Sequence, residues 1–128
     1  GLGPLLRKRG LGKLKELGLL DDRQYAFAWA GSRVKARPSG KRLVELELRK
    51  KGIDREDVRK ATDEVYGKDG EYPLALEAAR RRWGSLRGLP REKSFPRLQS
   101  FLMRRGFSYE DASRAIREVT GKTSDDLE

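Results

Sequence analysis

The chain repeats itself. Laid over itself with an offset of 54 residues, Lys50-Lys51-Gly52-Ile53 falls on Arg104-Arg105-Gly106-Phe107. Glu56, Asp57, Ala61, Glu64 and Val65 fall unchanged on Glu110, Asp111, Ala115, Glu118 and Val119. A third, damaged copy stands at the start as Leu6-Arg7-Lys8-Arg9-Gly10, then Glu16-Leu17. A period of this length marks a supersecondary unit that buries its apolar face by stacking on its neighbours. The 128 residues hold two such units and part of another.

The units read as helical, because no stretch alternates apolar and polar residues over strand length. Asp21 or Asp22 caps a helix with Tyr25, Ala26, Ala28 and Trp29 as its buried stripe, ending near Ala36 before Pro38. Ser39 caps a second, with Leu43, Leu46 and Leu48 inside. Gly52 ends it, with Leu48 and Ile53 as the apolar pair of a Schellman stop. Asp54 caps a third, with Val58, Ala61 and Val65 on one face, and Gly67 stops it. The pattern returns with Leu74, Ala75, Ala78, Ala79 and Trp83, whose helix loosens at Gly84 and Gly88. A fifth helix starts near Ser94 or Pro96 and carries Leu98, Phe101 and Leu102. Gly106 stops it, with Phe107 facing Leu102. Ser108 caps the last, with Ala112, Ala115, Ile116 and Val119 inside. The expected fold is all-α: a partial three-helix repeat over 1–20, full repeats over 21–69 and 70–121, and a polar tail over 122–128. At least six helices and no sheet are expected.

The first copy is short. Gly52 to Glu64 and Gly106 to Glu118 are each 12 residues, but Gly10 to Glu16 is 6. A helix so shortened loses about 9 Å and could not present Leu14 and Leu17 as the other copies do. Either the segment is genuinely cut down or, as expected here, residues between Arg9 and Lys13 are missing from the chain. The start at Gly1 rather than Met points to a fragment or a processed chain.

Chemistry is narrowed by what is absent. There is no cysteine and no histidine, so disulfides, thiol catalysis, Cys or His zinc ligation and histidine general bases are excluded. No apolar run is long enough for a membrane span. Gly121-Lys122-Thr123 lacks the glycine that a phosphate-binding loop needs five residues earlier, where Ile116 stands. Asp21-Asp22 could join a third acid around Mg²⁺, but helix capping explains the pair better. No cofactor, metal site or catalytic residue is expected.

The charge is +10 overall and unevenly placed. Residues 33–51 carry eight Lys/Arg and two Glu, and residues 80–105 carry nine Lys/Arg and one Glu. Together these segments are +14, leaving −4 for the rest. A single basic run is usually a solvated helix face. Its recurrence at the same place in two repeats points to a positive stripe facing a polyanion or an acidic protein surface. Tyr25, Trp29, Trp83 and Phe101, at helical spacing, read as core rather than as stacking platforms.

Leu17-Gly18-Leu19-Leu20-Asp21-Asp22, then Tyr25-Ala26, Trp29 and Arg33, then Glu47-Leu48 with Lys51-Gly52-Ile53, then Phe101-Leu102 with Arg104-Arg105-Gly106-Phe107-Ser108-Tyr109, together resemble the RecX regulatory proteins. The likeness runs from about Leu5 to Val119. It implies three-helix repeats in an elongated, curved, right-handed array. It also implies a non-enzymatic, cytoplasmic, monomeric negative regulator of the RecA recombinase in homologous recombination, DNA repair and the SOS response. Such a protein lodges in the groove of the RecA–single-stranded-DNA filament and inhibits filament growth, ATP hydrolysis, strand exchange and LexA cleavage, with weak direct affinity for single- or double-stranded DNA. Most of the matching residues are caps or core. The residues expected to contact the partner are the basic ones: Arg33, Lys35, Arg37, Lys41, Arg42, Lys50, Lys51, Arg80, Arg81, Arg82, Arg97, Arg104 and Arg105. The alternative is a basic helical module that coats DNA without RecA.

Overall fold

The computed structural model describes residues 10–121. Among them there is helix and turn but no strand. Residues 10–16 are helical (α1). Six helices follow: α2 (Asp22–Ala36), α3 (Lys41–Lys50), α4 (Arg55–Tyr66), α5 (Tyr72–Leu86), α6 (Arg91–Arg104) and α7 (Tyr109–Thr120). The repeated three-helix units form an elongated array. Helices α2–α4 pack mainly on one another, and so do α5–α7.

Each unit has its own core. The first gathers Tyr25, Ala26, Ala30, Val34, Val44, Leu48, Ile53, Val58, Ala61 and Tyr66. The second gathers Ala75, Ala78, Ala79, Leu86, Phe95, Leu98, Leu102, Phe107, Ala112, Ala115 and Ile116. Leu74 packs against both. A fully buried leucine contributes about 1.5–3 kcal/mol, so Leu48 and Leu102 are equivalent anchors.

The helix ends follow local chemistry. Asp21 accepts from the Gln24 N–H at 2.8 Å, and the Gln24 side chain accepts in return from the Asp21 N–H at 2.9 Å, a reciprocal capping box. Asp54 and Ser108 cap α4 and α7 through the N–H groups of Asp57 and Asp111. At the stops, Gly52 has φ 87° and Gly106 φ 92°. The Ile53 N–H donates to the Leu48 carbonyl and the Phe107 N–H to the Leu102 carbonyl, both at 3.2 Å. These are Schellman stops at the same place in both units.

Several expectations are corrected. Gly40, not Ser39, is the N-cap of α3. Ser39 is fully buried, its hydroxyl donates to the Arg37 carbonyl, and its own carbonyl accepts from Tyr66 Oη at 2.8 Å. Val44 takes the core position of α3, while Leu43 is half-buried and Leu46 is 51% exposed. In α2, Ala28 and Trp29 are half-buried and Ala30 and Val34 complete the stripe. Helix α5 runs straight through Gly84 to Leu86.

Helix α6 starts at Arg91, behind Pro90, with Ser94 and Phe95 buried and Pro96 inside it. The proline disfavours helix at Phe95. That preference yields because Phe95 is buried edge-on to Trp83, with ring centroids 6.2 Å apart.

The expected break does not occur within residues 10–16, which form one continuous helix. Its Arg9 side, like the polar tail over 122–128, lies outside the described residues. Short as it is, α1 buries Leu14 completely against the first core, while Leu17 stays 47% exposed.

Candidate functional site

The two units meet along a seam made largely of backbone and charge. The Gly40 N–H donates to the Arg105 carbonyl at 2.7 Å. The Glu71 carboxylate, at the start of α5, accepts from the N–H of Lys41 and from that of Ser108, both at 2.8 Å. One acid therefore satisfies free N–H groups at the starts of α3 and α7, where helix dipoles favour negative charge. Across the same seam the Arg42 guanidinium donates to the Met103 carbonyl at 2.9 Å, and Arg105 Nη1 donates to the Pro38 carbonyl at 3.0 Å.

Arg105 is the centre of a basic cluster. Its guanidinium lies 4.7 Å from the centre of the Phe101 ring, and Arg82 lies 5.6 Å from the same ring. Burial, then the positive charges of Arg37, Arg33 and Arg81, lower its pKa from the ordinary arginine value. An arginine nonetheless stays protonated at neutral pH. The two basic segments, remote in sequence, thus converge here: Arg33 and Arg37 come from the first unit, Arg81, Arg82 and Arg105 from the second. Glu47 and Glu77 balance Arg33 and Arg81, so the excess positive charge here rests on Arg37, Arg82 and Arg105, where an anion would relieve it.

The expected contact residues fall into two groups. Some already have partners. Arg33 holds Glu47 through two nitrogens at 3.2 and 3.4 Å. Lys41 pairs with Asp63 at 3.1 Å and Arg81 with Glu77 at 2.6 Å. Lys51 sits 5.1 Å over the Trp29 ring. By contrast, Lys35, Arg37, Lys50, Arg80, Arg97 and Arg104 are exposed, and their side chains have no partner among the described residues. Of the expected contact residues, these six are the cations most available to a ligand.

Sequence reasoning missed Glu71, Gly40 and the role of Phe101. Phe101 packs against the second core, as expected, and its half-buried ring is also a platform for two guanidiniums. Its place between Arg97 and Arg104-Arg105 was the available signal. No group of three or more Asp or Glu residues able to hold a metal occurs among the described residues. No helix among them is long and apolar enough to cross a membrane.

Comparison with known proteins agrees with this architecture. Residues 21–61 match the second three-helix domain of RecX, and residues 69–116 match the third. The chain belongs to the RecX family. It is 38% identical over 108 residues to the regulatory protein RecX of Thermobifida fusca, covering 84% of this chain and 58% of that one. It is 35% identical over 108 residues to the RecX of Amycolatopsis mediterranei, covering 84% and 61%. It is 36% identical over 109 residues to that of Chlorobium phaeobacteroides, covering 85% and 66%. This RecX-family chain therefore spans about three fifths of the length of its first two relatives. No solved structure matches it.

Proposed function

We propose that this RecX-family chain is a negative regulator of RecA that docks in the groove of the RecA–single-stranded-DNA filament through the basic seam around Arg105. Bound there, it restrains filament growth, ATP hydrolysis, strand exchange and LexA cleavage. The observation that carries this reading is the junction of the two basic segments: Arg105 of the second donates to the Pro38 carbonyl of the first, and Arg42 of the first donates to the Met103 carbonyl of the second. Two basic segments remote in sequence are thereby joined at one seam, which supports a shared docking surface over two separate solvated faces. Lys35, Arg80, Arg97 and Arg104, on the helices that carry these segments, are exposed and supply further uncommitted cations. A monomer is sufficient for this mode of binding.

The test is RecA ATPase on short single strands, with and without the chain, beside salt titrations of its binding to filament and to bare DNA. Binding to bare DNA must weaken with salt as counterions are reabsorbed by the phosphates. The proposal expects suppression of the ATPase and tighter binding to filament than to either bare strand or duplex. Equal binding to bare DNA, with the ATPase changed only as far as the strand is masked, would instead establish a stand-alone DNA-coating module.

A further inference from the structure

Between α3 and α4, the first unit carries a groove of about 430 Å³. Val58, itself buried, forms its floor, and Leu46 opens into it with 51% of its surface exposed. Arginines 42, 49, 55 and 59 surround this apolar strip, with Glu45 as the one carboxylate in the lining. The arginines are not equally free. Arg59 grips Glu56 at 2.6 Å and Asp63 at 3.3 Å. Arg42 donates to the Met103 carbonyl. Arg49 and Arg55 are exposed and have no partner among the described residues. Two uncommitted guanidiniums therefore flank an open leucine.

The repeat shows that the fold does not require this arrangement. With the offset of 54, the equivalent groove on α6 and α7 is lined by Gln99, Ser100, Met103, Arg104 and Tyr109. Leu46 is there replaced by Ser100, Arg49 by Met103 and Arg55 by Tyr109. The same helix pair closes around a different lining. Leu46, Arg49 and Arg55 are thus dispensable for packing.

We infer that the α3–α4 groove docks an acidic peptide segment that presents one large apolar side chain. The apolar group covers Leu46 and Val58 and removes their surface from water. Flanking carboxylates meet Arg49 and Arg55, whose planar guanidiniums can each bind a carboxylate in two-pronged fashion. Nucleic acid fits less well. No aromatic ring lines the groove for base stacking. Glu45, Glu56 and Asp63 lie beside it and would repel an unbroken run of phosphates, whereas a peptide can place its carboxylates only at the arginines. The inference is independent of the Arg105 seam.

The probe is a fluorescently labelled short peptide with one central leucine flanked by glutamates, with a leucine-to-serine peptide and an oligothymidylate as controls. Anisotropy should show saturable binding of the leucine peptide. Leu46→Asp, and separately the pair Arg49→Glu and Arg55→Glu, should weaken it by about tenfold or more, equivalent to about 1.4 kcal/mol. Arg80→Glu with Arg104→Glu, on α5 and α6 of the second unit, should leave it within about twofold. Melting curves for each variant confirm the fold, and Leu46→Ser, which reproduces the residue of the second unit, guards against a misfolded aspartate variant. Absence of peptide binding would overturn the inference. So would equal binding of the serine peptide, or variants that weaken oligothymidylate instead of the peptide.

Discussion

The backbone of Gly40 lies directly against the backbone of Gly106. A Cβ added at Gly40 would overlap the Gly106 carbonyl group and the Phe107 nitrogen. Gly40 has φ −80°, so alanine could adopt its conformation without strain; the obstacle is contact alone. Gly40→Ala should therefore push the two units apart and destabilise the chain by about 1–3 kcal/mol, the usual range for overpacking. Thermal melting checks this, and hydrogen exchange at the Gly40 N–H should quicken as its bond to Arg105 is lost.

The two glycine stops should respond unequally. Gly52 has φ 87°, and an added Cβ would meet nothing within 4 Å. Gly52→Ala should cost on the order of 1 kcal/mol, from backbone conformation alone. Gly106 has φ 92°, and its added Cβ would fall 2.5 Å from the Leu43 Cβ. Gly106→Ala should cost clearly more, by adding overlap to strain. Urea unfolding of the two variants orders them, and equal losses would contradict the seam geometry.

Much of this fold was legible because its signals were local. Asp21, Asp54 and Ser108 cap helices through N–H groups three residues ahead, and Gly52 and Gly106 stop them through bonds reaching back a few residues. Errors arose where a distant residue intervened. Ser39 looks like a cap, but Glu71 supplies the acceptor for the Lys41 N–H from across the seam, and Ser39 is drawn into the core by Tyr66. Pro96 looks like a helix start, but burial of Phe95 against Trp83 overrides its local preference. The basic segments were legible as charge. That they would join where Arg105 reaches the Pro38 carbonyl was not, because sequence spacing does not encode the junction of two units.

Charge reversal should separate binding from folding. Replacing Arg80, Arg81 and Arg82 by Glu, and in a second variant Lys50 and Lys51, should abolish inhibition of RecA ATPase. Surface substitutions usually move stability by less than about 0.5 kcal/mol each. The Arg81–Glu77 pair is exposed and adds little. The Arg82–Phe101 and Lys51–Trp29 contacts are lost as well, at about 0.5–1 kcal/mol each, so melting should fall modestly beside the loss of inhibition. Full inhibition by both variants would refute the positive-seam reading.

Losing one hydroxyl should loosen the first core. Tyr66 Oη donates to the Ser39 carbonyl at 2.8 Å in a buried setting, and burial first, then the charge of Glu71, raise the phenol pKa well above its ordinary value. Tyr66→Phe removes the one donor to that carbonyl among the described residues and should cost about 1–3 kcal/mol, the penalty for an unsatisfied buried group. Denaturant unfolding measures it; a cost near zero would mean that the segment Pro38–Gly40 relaxes without this tether.

The acid pair at the seam should give stability a distinctive pH dependence. Burial, and after it the negative charge of Glu71, raise the Asp111 pKa above its ordinary value; the Ser108 hydroxyl partly offsets them, while hydrogen bonding with Glu71 and the charge of Glu110 push the same way. Lys41 and Arg42 line the adjoining groove with Glu71. An acid whose pKa rises on folding holds its proton longer in the folded state than in the unfolded one. Just above the ordinary aspartate value of about 3.9, the folded chain therefore binds more protons, and this site's contribution to stability falls as pH rises through the window. Asp111→Asn should remove that fall and leave the stability at neutral pH unchanged or higher. Glu71→Gln should lower the Asp111 midpoint by removing the like charge, without returning it fully, because burial remains. Carboxyl NMR titrations of the native chain and of Glu71→Gln supply the measurement. An Asp111 midpoint at or below the ordinary value in the native chain would show that the two carboxylates do not face each other across this seam.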